Sequence, residues 1–173
     1  MHSLSQFPTD QIFLAQLLPS RQGAILHSSG VILDGRGFLF VGHSSAGKST
    51  MVKMLREHAE ILCDDRIIVR QDGERFRIYG TWSHGEISQV SANHAPLAAM
   101  FFLEKAGENR IERLEPNYVT KQLWRYTIKA LMTKGWAEQT WTILETIGKT
   151  VPCYRLFFDK SGQVVNLLKN WKE

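Results

Sequence analysis

Apolar side chains follow two regimes along the chain. From Ala24 to Leu114 they come in short runs punctuated by Gly, Asp and Ser, whereas from Pro116 to Lys149 they recur every three or four positions. The first pattern predicts strands and the second helices, because side chains alternate across a strand but line one face of a helix with period 3.6. Runs at 24–28, 31–33 and 38–41, separated by Ser-Ser-Gly and Asp-Gly-Arg-Gly, read as strands joined by tight turns. The second connection reads as a hairpin, since Asp34-Gly35 and Gly37 reach positive φ cheaply. Ser49 to His58 carries Met51, Met54 and Leu55 at helical spacing and predicts a helix of about ten residues. Ile61 to Cys63 follows as a strand, then Ile67-Ile68-Val69 and Phe76-Arg77-Ile78-Tyr79 as a hairpin turning at Asp72-Gly73. Leu97 to Leu103 is apolar enough for a central strand, although a buried helix segment of that length has the same signature.

Val119, Leu123, Tyr126, Ile128 and Leu131, then Trp136, Trp141, Leu144 and Ile147, predict two amphipathic helices broken near Lys134-Gly135. Their aromatic stripe reads as core rather than as a base-stacking platform. Cys153 to Phe158 and Val164 to Leu168 read as a last hairpin turning at Ser161-Gly162. Residues 1–23 place an apolar segment, Ile12 to Leu18, among Pro8, Pro19 and Gly23, which predicts a lead-in helix or loop outside the core. Residues 24–173 then form one α/β unit, without internal repeats or low-complexity segments.

Composition agrees with that division. The 173 residues are 43% apolar and 22% charged, the balance of one ordinary domain. No run approaches the ~18 apolar residues of a membrane span, and the first twenty residues lack a leader pattern, so the expectation is a cytoplasmic protein without a membrane partner. Cys63 and Cys153 lie far apart and form no C-x-x-C pair, which points to buried reduced thiols rather than zinc or a disulfide. The net charge of +4 suits an anionic partner, but the basic residues are scattered rather than gathered into a stripe. Nucleic acid is therefore not indicated, whereas handling of triphosphates fits.

The chemistry is concentrated in Gly42-His43-Ser44-Ser45-Ala46-Gly47-Lys48-Ser49-Thr50, which fits G-x-x-x-x-G-K-[ST] between a predicted strand and a predicted helix. In such a loop, glycines let backbone N–H groups converge on phosphate oxygens, and the helix N-terminus adds partial positive charge. Lys48 would reach the β and γ phosphates of ATP, and Ser49 would offer its hydroxyl to magnesium. His43 reads as simply exposed. Asp64-Asp65 follows Lys48 by sixteen and seventeen positions. One helix leading away and one strand leading back fill that interval, so the pair is expected beside the loop, where a carboxylate can hold magnesium. So short an interval argues against GTPase-like and AAA-like layouts, which commonly interpose another helix and strand.

These residues resemble the HPr kinase/phosphorylase catalytic domain and, more distantly, the nucleotide-binding half of ATP-dependent phosphoenolpyruvate carboxykinase. The shared pattern is a histidine in a strand before the loop (His27), a hairpin ending in Gly35-Arg36-Gly37, the loop itself and the closely following Asp64-Asp65. The resemblance implies a phosphate-loop α/β fold with a mixed sheet, β-hairpins and C-terminal helices. It also implies roles: Asp64 takes the proton from the acceptor hydroxyl, Asp65 partners magnesium, and His27 stands near the transferred phosphate. Phe101-Phe102-Leu103-Glu104 and Ile111-Glu112-Arg113-Leu114 look like a family strand and the Arg-Leu after it, making Arg113 the candidate for the γ phosphate with Arg110 as competitor.

The likeness spans roughly residues 24 to 115. After the aspartates, the family's glycine-rich signature is replaced by Tyr79 to Glu86, and its Pro-Gly-Arg-Asn segment has no counterpart. Those departures detach phosphorylase activity and HPr itself from the expectation, but not the ATP site. Trp82, His84 and Glu86 form a polar cluster in a Gly-flanked loop where an acceptor could be recognised. The resemblance also implies a hexamer, and protein or peptide acceptors, because HPr-kinase relatives phosphorylate peptides including lasso-peptide precursors. The expected activity is transfer of the γ phosphate of ATP to a hydroxyl, most simply a serine, of a protein, peptide or small molecule. A nucleotide-binding sensor without transfer would need the loop and Asp65 but make no demand on Asp64 or Arg113. A decarboxylating carboxykinase would need a substrate lobe for which the chain has little room.

Overall fold

The computed structural model describes residues 9–129 and 131–172; the start of the lead-in segment, residues 1–8, lies outside them. Helix α1 (Thr9–Ser20) forms where the apolar lead-in segment predicted it. It buries Ala15 and Leu18 against Ile25 in a small cluster of its own. Strand β1 (Gly23–Leu33) then runs unbroken for 11 residues, so Ser28-Ser29-Gly30 is strand and not the expected turn. Ser28 and Ser29 are fully buried, and Ser28 Oγ donates to Leu26 O at 3.3 Å. A Cβ on Gly30 would stand 2.7 Å from Ile67 Cδ1. Small residues here admit a neighbouring strand's side chain rather than bend the backbone.

The first half of β1 pairs with β4 (Arg66–Asp72), and the second half with β2 (Arg36–Val41) and β3 (Glu60–Cys63), all antiparallel. The β1–β2 hairpin turns at Asp34-Gly35, with φ of 52° and 74°. Gly37 does not use positive φ; it faces Ile78 and the Pro96 carbonyl too closely for a side chain. Helix α2 (Lys48–Leu55) stops three residues short of its predicted end at His58. β4 and β5 (Arg75–Tyr79) form the expected hairpin.

Strand β6 (His94–Lys105) is the centre of the sheet. It begins antiparallel to β5, then runs parallel to β2 on one side and to β8 (Cys153–Phe158) on the other. β7 (Arg110–Arg113) lies antiparallel outside β8. Because the long strands β1 and β6 each change partners along their length, the pairing β1–β2–β6–β5–β4–β1 closes on itself. The result is a mixed sheet of eight strands in an α/β fold.

Alternation along β2 sends Leu39 and Val41 to one face and Phe38 and Phe40 to the other. The first pair packs with Met100 and Phe102 under α3 (Pro116–Tyr126) and α4 (Lys134–Thr150). The second packs with Phe101 and Phe158 against α2 and α5 (Gln163–Lys169). Two expectations fail on this layer. The helical break falls between Tyr126 and Lys134, so Lys134-Gly135 opens α4, with Thr133 Oγ1 accepting from Trp136 N at 3.2 Å. Leu131, assigned to the apolar stripe, stands exposed in that connection. The last hairpin is absent as well: Val164, Val165 and Leu168 form the buried side of helix α5. A five-residue apolar segment does not reveal its own period, and both edges of β8 are already taken by β6 and β7.

Candidate functional site

Strands β2, β6 and β8 run parallel towards one rim: β2 stops at Val41, level with Phe102 and Arg155, while β6 and β8 continue together to Lys105 and Phe158. The segment from Gly42 to Gly47 leaves β2 at that rim and turns straight into α2. The turn needs left-handed backbone at Ser45 (φ 72°) and Gly47 (φ 105°). At Gly47 a side chain would also strike Phe158, 2.5 Å from the position of a Cβ. Ala46 N–H turns back to His43 O at 3.0 Å, and the first turn of α2 leaves N–H groups without helical acceptors. Lys48 is buried, and its Nζ donates to Gly42 O (2.8 Å) and His43 O (3.2 Å), bracing the loop into an open ring. Burial lowers the pKa of this amine, while Asp65 and Asp64 act to raise it.

The structure brings Asp64, Asp65 and His27 to this loop, but the two carboxylates have different surroundings. Asp64 is buried. Its Oδ1 accepts from Gly85 N (2.6 Å), and its Oδ2 from Ile87 N (3.0 Å) and Ser49 Oγ (3.3 Å). Asp65 sits 3.1 Å from His27 Nδ1 through Oδ1, while its Oδ2 meets Arg66 Nη1 (3.2 Å) and accepts from Ser83 Oγ (3.0 Å). The His27 hydrogen bond, helped by the Arg66 charge and the Ser83 hydroxyl, holds the Asp65 carboxyl down to about 2 against the opposing effect of burial. His27 is thus a half-exposed strand residue paired with a carboxylate, not a core histidine.

These groups line a cavity of about 350 Å³ together with Ser44, Thr50, Glu86 and Lys105. Lys105, at the end of β6, escapes sequence reasoning; its only advance signal is that it closes an apolar strand, and strand ends are where α/β sheets bind ligands. Ser83 and the N–H groups of Gly85 and Ile87 were equally hidden, since backbone donors leave no trace in residue type. His84 is exposed, with Nδ1 3.4 Å from Gly85 O, and is not part of the cavity wall. Glu86 reaches Lys53 at 3.2 Å, and Trp82 Nε1 donates to Asp10 of α1 at 2.6 Å. Arg113 lies on the outer strand β7, level with Tyr154, Phe101 and Phe40 and so inside the sheet rather than at its rim. Arg110 pairs with Glu108 and Glu112 and covers the Phe157 ring at 3.6 Å. Neither arginine lines the cavity.

Ser49 Oγ and the Asp64 carboxylate offer two adjacent hard oxygens, the donor type magnesium takes beside phosphates and waters. Among the described residues no cluster of three or more His, Cys, Asp or Glu side chains could hold a metal ion, and a triphosphate-bound magnesium does not require one. Cys63 and Cys153 are buried and free. Burial raises the pKa of both thiols, Cys153 to about 12, so neither is a nucleophile. No helix among the described residues is long and apolar enough to cross a membrane.

Compared with known proteins, residues 11–170 match the model of a family described as SynChlorMet cassette protein ScmC. No curated protein matches the chain. Among solved structures, the Hpr(Ser) kinase/phosphatase from Coxiella burnetii aligns with a TM-score of 0.45 and 16% identity, covering 84% of this chain and 91% of that one.

Proposed function

The chain belongs to the family described as SynChlorMet cassette protein ScmC, and since that description carries no activity, we propose from the site itself an ATP-dependent kinase that phosphorylates a hydroxyl group. The supporting observation is the convergence of a braced phosphate loop, its buried Lys48 and two unlike carboxylates on one cavity. In this reading the phosphates of ATP lie over Gly42 to Thr50, with Lys48 turning from its carbonyl partners to the β and γ phosphates. Ser49 and Asp64 would hold magnesium, which neutralises charge developing on the phosphates.

The two aspartates exchange the roles that the family resemblance gave them. Asp64 accepts from Gly85 N, Ile87 N and Ser49 Oγ, which fixes it beside the hydroxyl that would share the metal. Asp65 stands beside His27 on the cavity wall. The acceptor hydroxyl oxygen forms the new P–O bond as the bond to the β-phosphate oxygen of ATP breaks, and its proton passes to Asp65. A carboxylate with a pKa of about 2 is fully ionised at neutral pH. Lys105, on the cavity wall, would take up charge on the transferred group. The acceptor, in this reading a protein or peptide serine, would approach from the side of the cavity that Glu86 lines.

Incubation with γ-labelled ATP, magnesium and extracts of cells that carry this protein tests the proposal. A labelled acceptor is expected with the wild type and none with Lys48→Ala. Asp65→Asn should slow transfer by about a hundredfold or more while leaving Mg·ATP binding within a few-fold. Unchanged transfer in Asp65→Asn would remove its assigned role. Tight binding of ATP with no labelled acceptor under any condition would favour a sensor.

A further inference from the structure

A second cavity, of about 380 Å³, opens on the α3 flank of the phosphate loop and shares Ser45 and Lys105 with the first. Resting on the triphosphate reading of the loop, we propose that this cavity receives the nucleobase of the bound nucleotide and that the base is adenine. Its inner wall is Gly42 and His43 of the loop, so a group lying in it is within a sugar's reach of the phosphates. Its outer wall is Tyr118, Gln122 and Tyr126, which share one face of α3 through their i, i+4, i+8 spacing. Arg155, from the middle of β8, closes the side.

The lining suits a flat heteroaromatic ring. Arg155 Nη2 donates to the Tyr118 hydroxyl at 3.4 Å, and its guanidinium lies 5.9 Å from the Tyr118 ring centroid. Glu104 holds the other edge of the guanidinium, with 3.5 Å between Arg155 Nε and Glu104 Oε2. A phenol and a planar cation held together in this way are surfaces on which bases stack. Gln122 is half-buried, and its amide makes no hydrogen bond to any described residue. A carboxamide presents a donor and an acceptor side by side, which pairs with the N6/N7 edge of adenine; guanine offers two acceptors there. The volume falls within the roughly 300–1,000 Å³ of small-molecule sites. Lys48, Ser49 and Asp64 claim the γ end of the triphosphate in the first cavity, which leaves the nucleoside to the other flank of the loop.

Calorimetric titration of the whole chain with the magnesium complexes of ATP, GTP and inorganic tripolyphosphate separates the two readings. The wild type should bind ATP about tenfold or more tighter than tripolyphosphate, and tighter than GTP. Gln122→Leu should lose the preference for ATP over GTP, and Tyr118→Ala should weaken ATP about fivefold or more. Both variants should bind tripolyphosphate as the wild type does and keep its circular dichroism and Tm, since neither side chain is in the core. Equal binding of ATP and tripolyphosphate by the wild type, or equal weakening of both in the variants, would overturn the base pocket and leave the phosphate loop standing. Failure of the wild type to bind either would overturn the phosphate loop and the pocket together.

Discussion

At the residue scale the site turns on the difference between two adjacent aspartates. Both lie in the bend between β3 and β4, where Asp64 meets Ser49 of the loop and Asp65 meets His27 of β1. The consequence is measurable in stability. Asp65 has a folded pKa near 2, below its unfolded value of about 3.9, so it stabilises the fold fully above the unfolded value. That contribution, about 2 kcal/mol at neutral pH, should fade as pH falls from about 4 towards 2. Urea melts of the wild type and Asp65→Asn across that range should converge at the acid end. A constant difference between them would mean that Asp65 acts through shape rather than charge. Asp159 also has a lowered pKa, through Ser161 and Asn109, but it does not line the cavity beside Lys48 and is present in both proteins alike.

At the scale of elements, the segment between Tyr79 and His94 forms no helix or strand, yet its backbone is bonded. Gly80 N reaches Asn93 O, Ser91 N reaches Leu62 O, and Gly85 N and Ile87 N reach Asp64. Asp64 therefore shapes the outer wall of the cavity as well as offering an oxygen beside Ser49. Replacing it by alanine leaves two N–H groups without partners. Amide hydrogen exchange at Gly85 and Ile87 should then accelerate by about tenfold or more, with β6 amides unchanged. Exchange rates equal to wild type would show that the loop stands without the carboxylate. Helix α5 carries the opposite lesson: with no long period to read, its apolar residues took their conformation from the face of the sheet they cover.

At the scale of the whole molecule, β6 joins the two halves of the closed pairing circuit and carries Phe101, which is fully buried. Its ring lies 5.7 to 6.1 Å from those of Phe38, Phe40, Tyr154 and Trp171. Trp171 is tied in turn by Arg36, whose Nη1 donates to its carbonyl at 3.0 Å. Phe101→Ala should cost about 3–5 kcal/mol and shift chemical denaturation monitored by tryptophan fluorescence in one step. A loss below about 1 kcal/mol would mean that the aromatic cluster collapses to fill the space. Phe13, Leu17, Leu131 and Met132 remain exposed around α1 and the α3–α4 connection.

Local geometry was legible in the sequence wherever the motif and its flanks are contiguous. The strand–loop–helix turn from Gly42 to Thr50, the turn at Asp34-Gly35, the β4–β5 hairpin and the nearness of Asp64-Asp65 to Lys48 all depend on backbone geometry within about twenty residues. Tertiary structure alone decided what depends on pairing across long separations. It ran β1 through Ser28-Ser29-Gly30, because Ile67 fills the space that a side chain would need. It made Val164 to Leu168 a helix, because both edges of β8 were taken. It also set Lys105 beside the loop while keeping Arg113 on an outer strand, since sheet order, rather than spacing along the chain, determines which side chains share a rim.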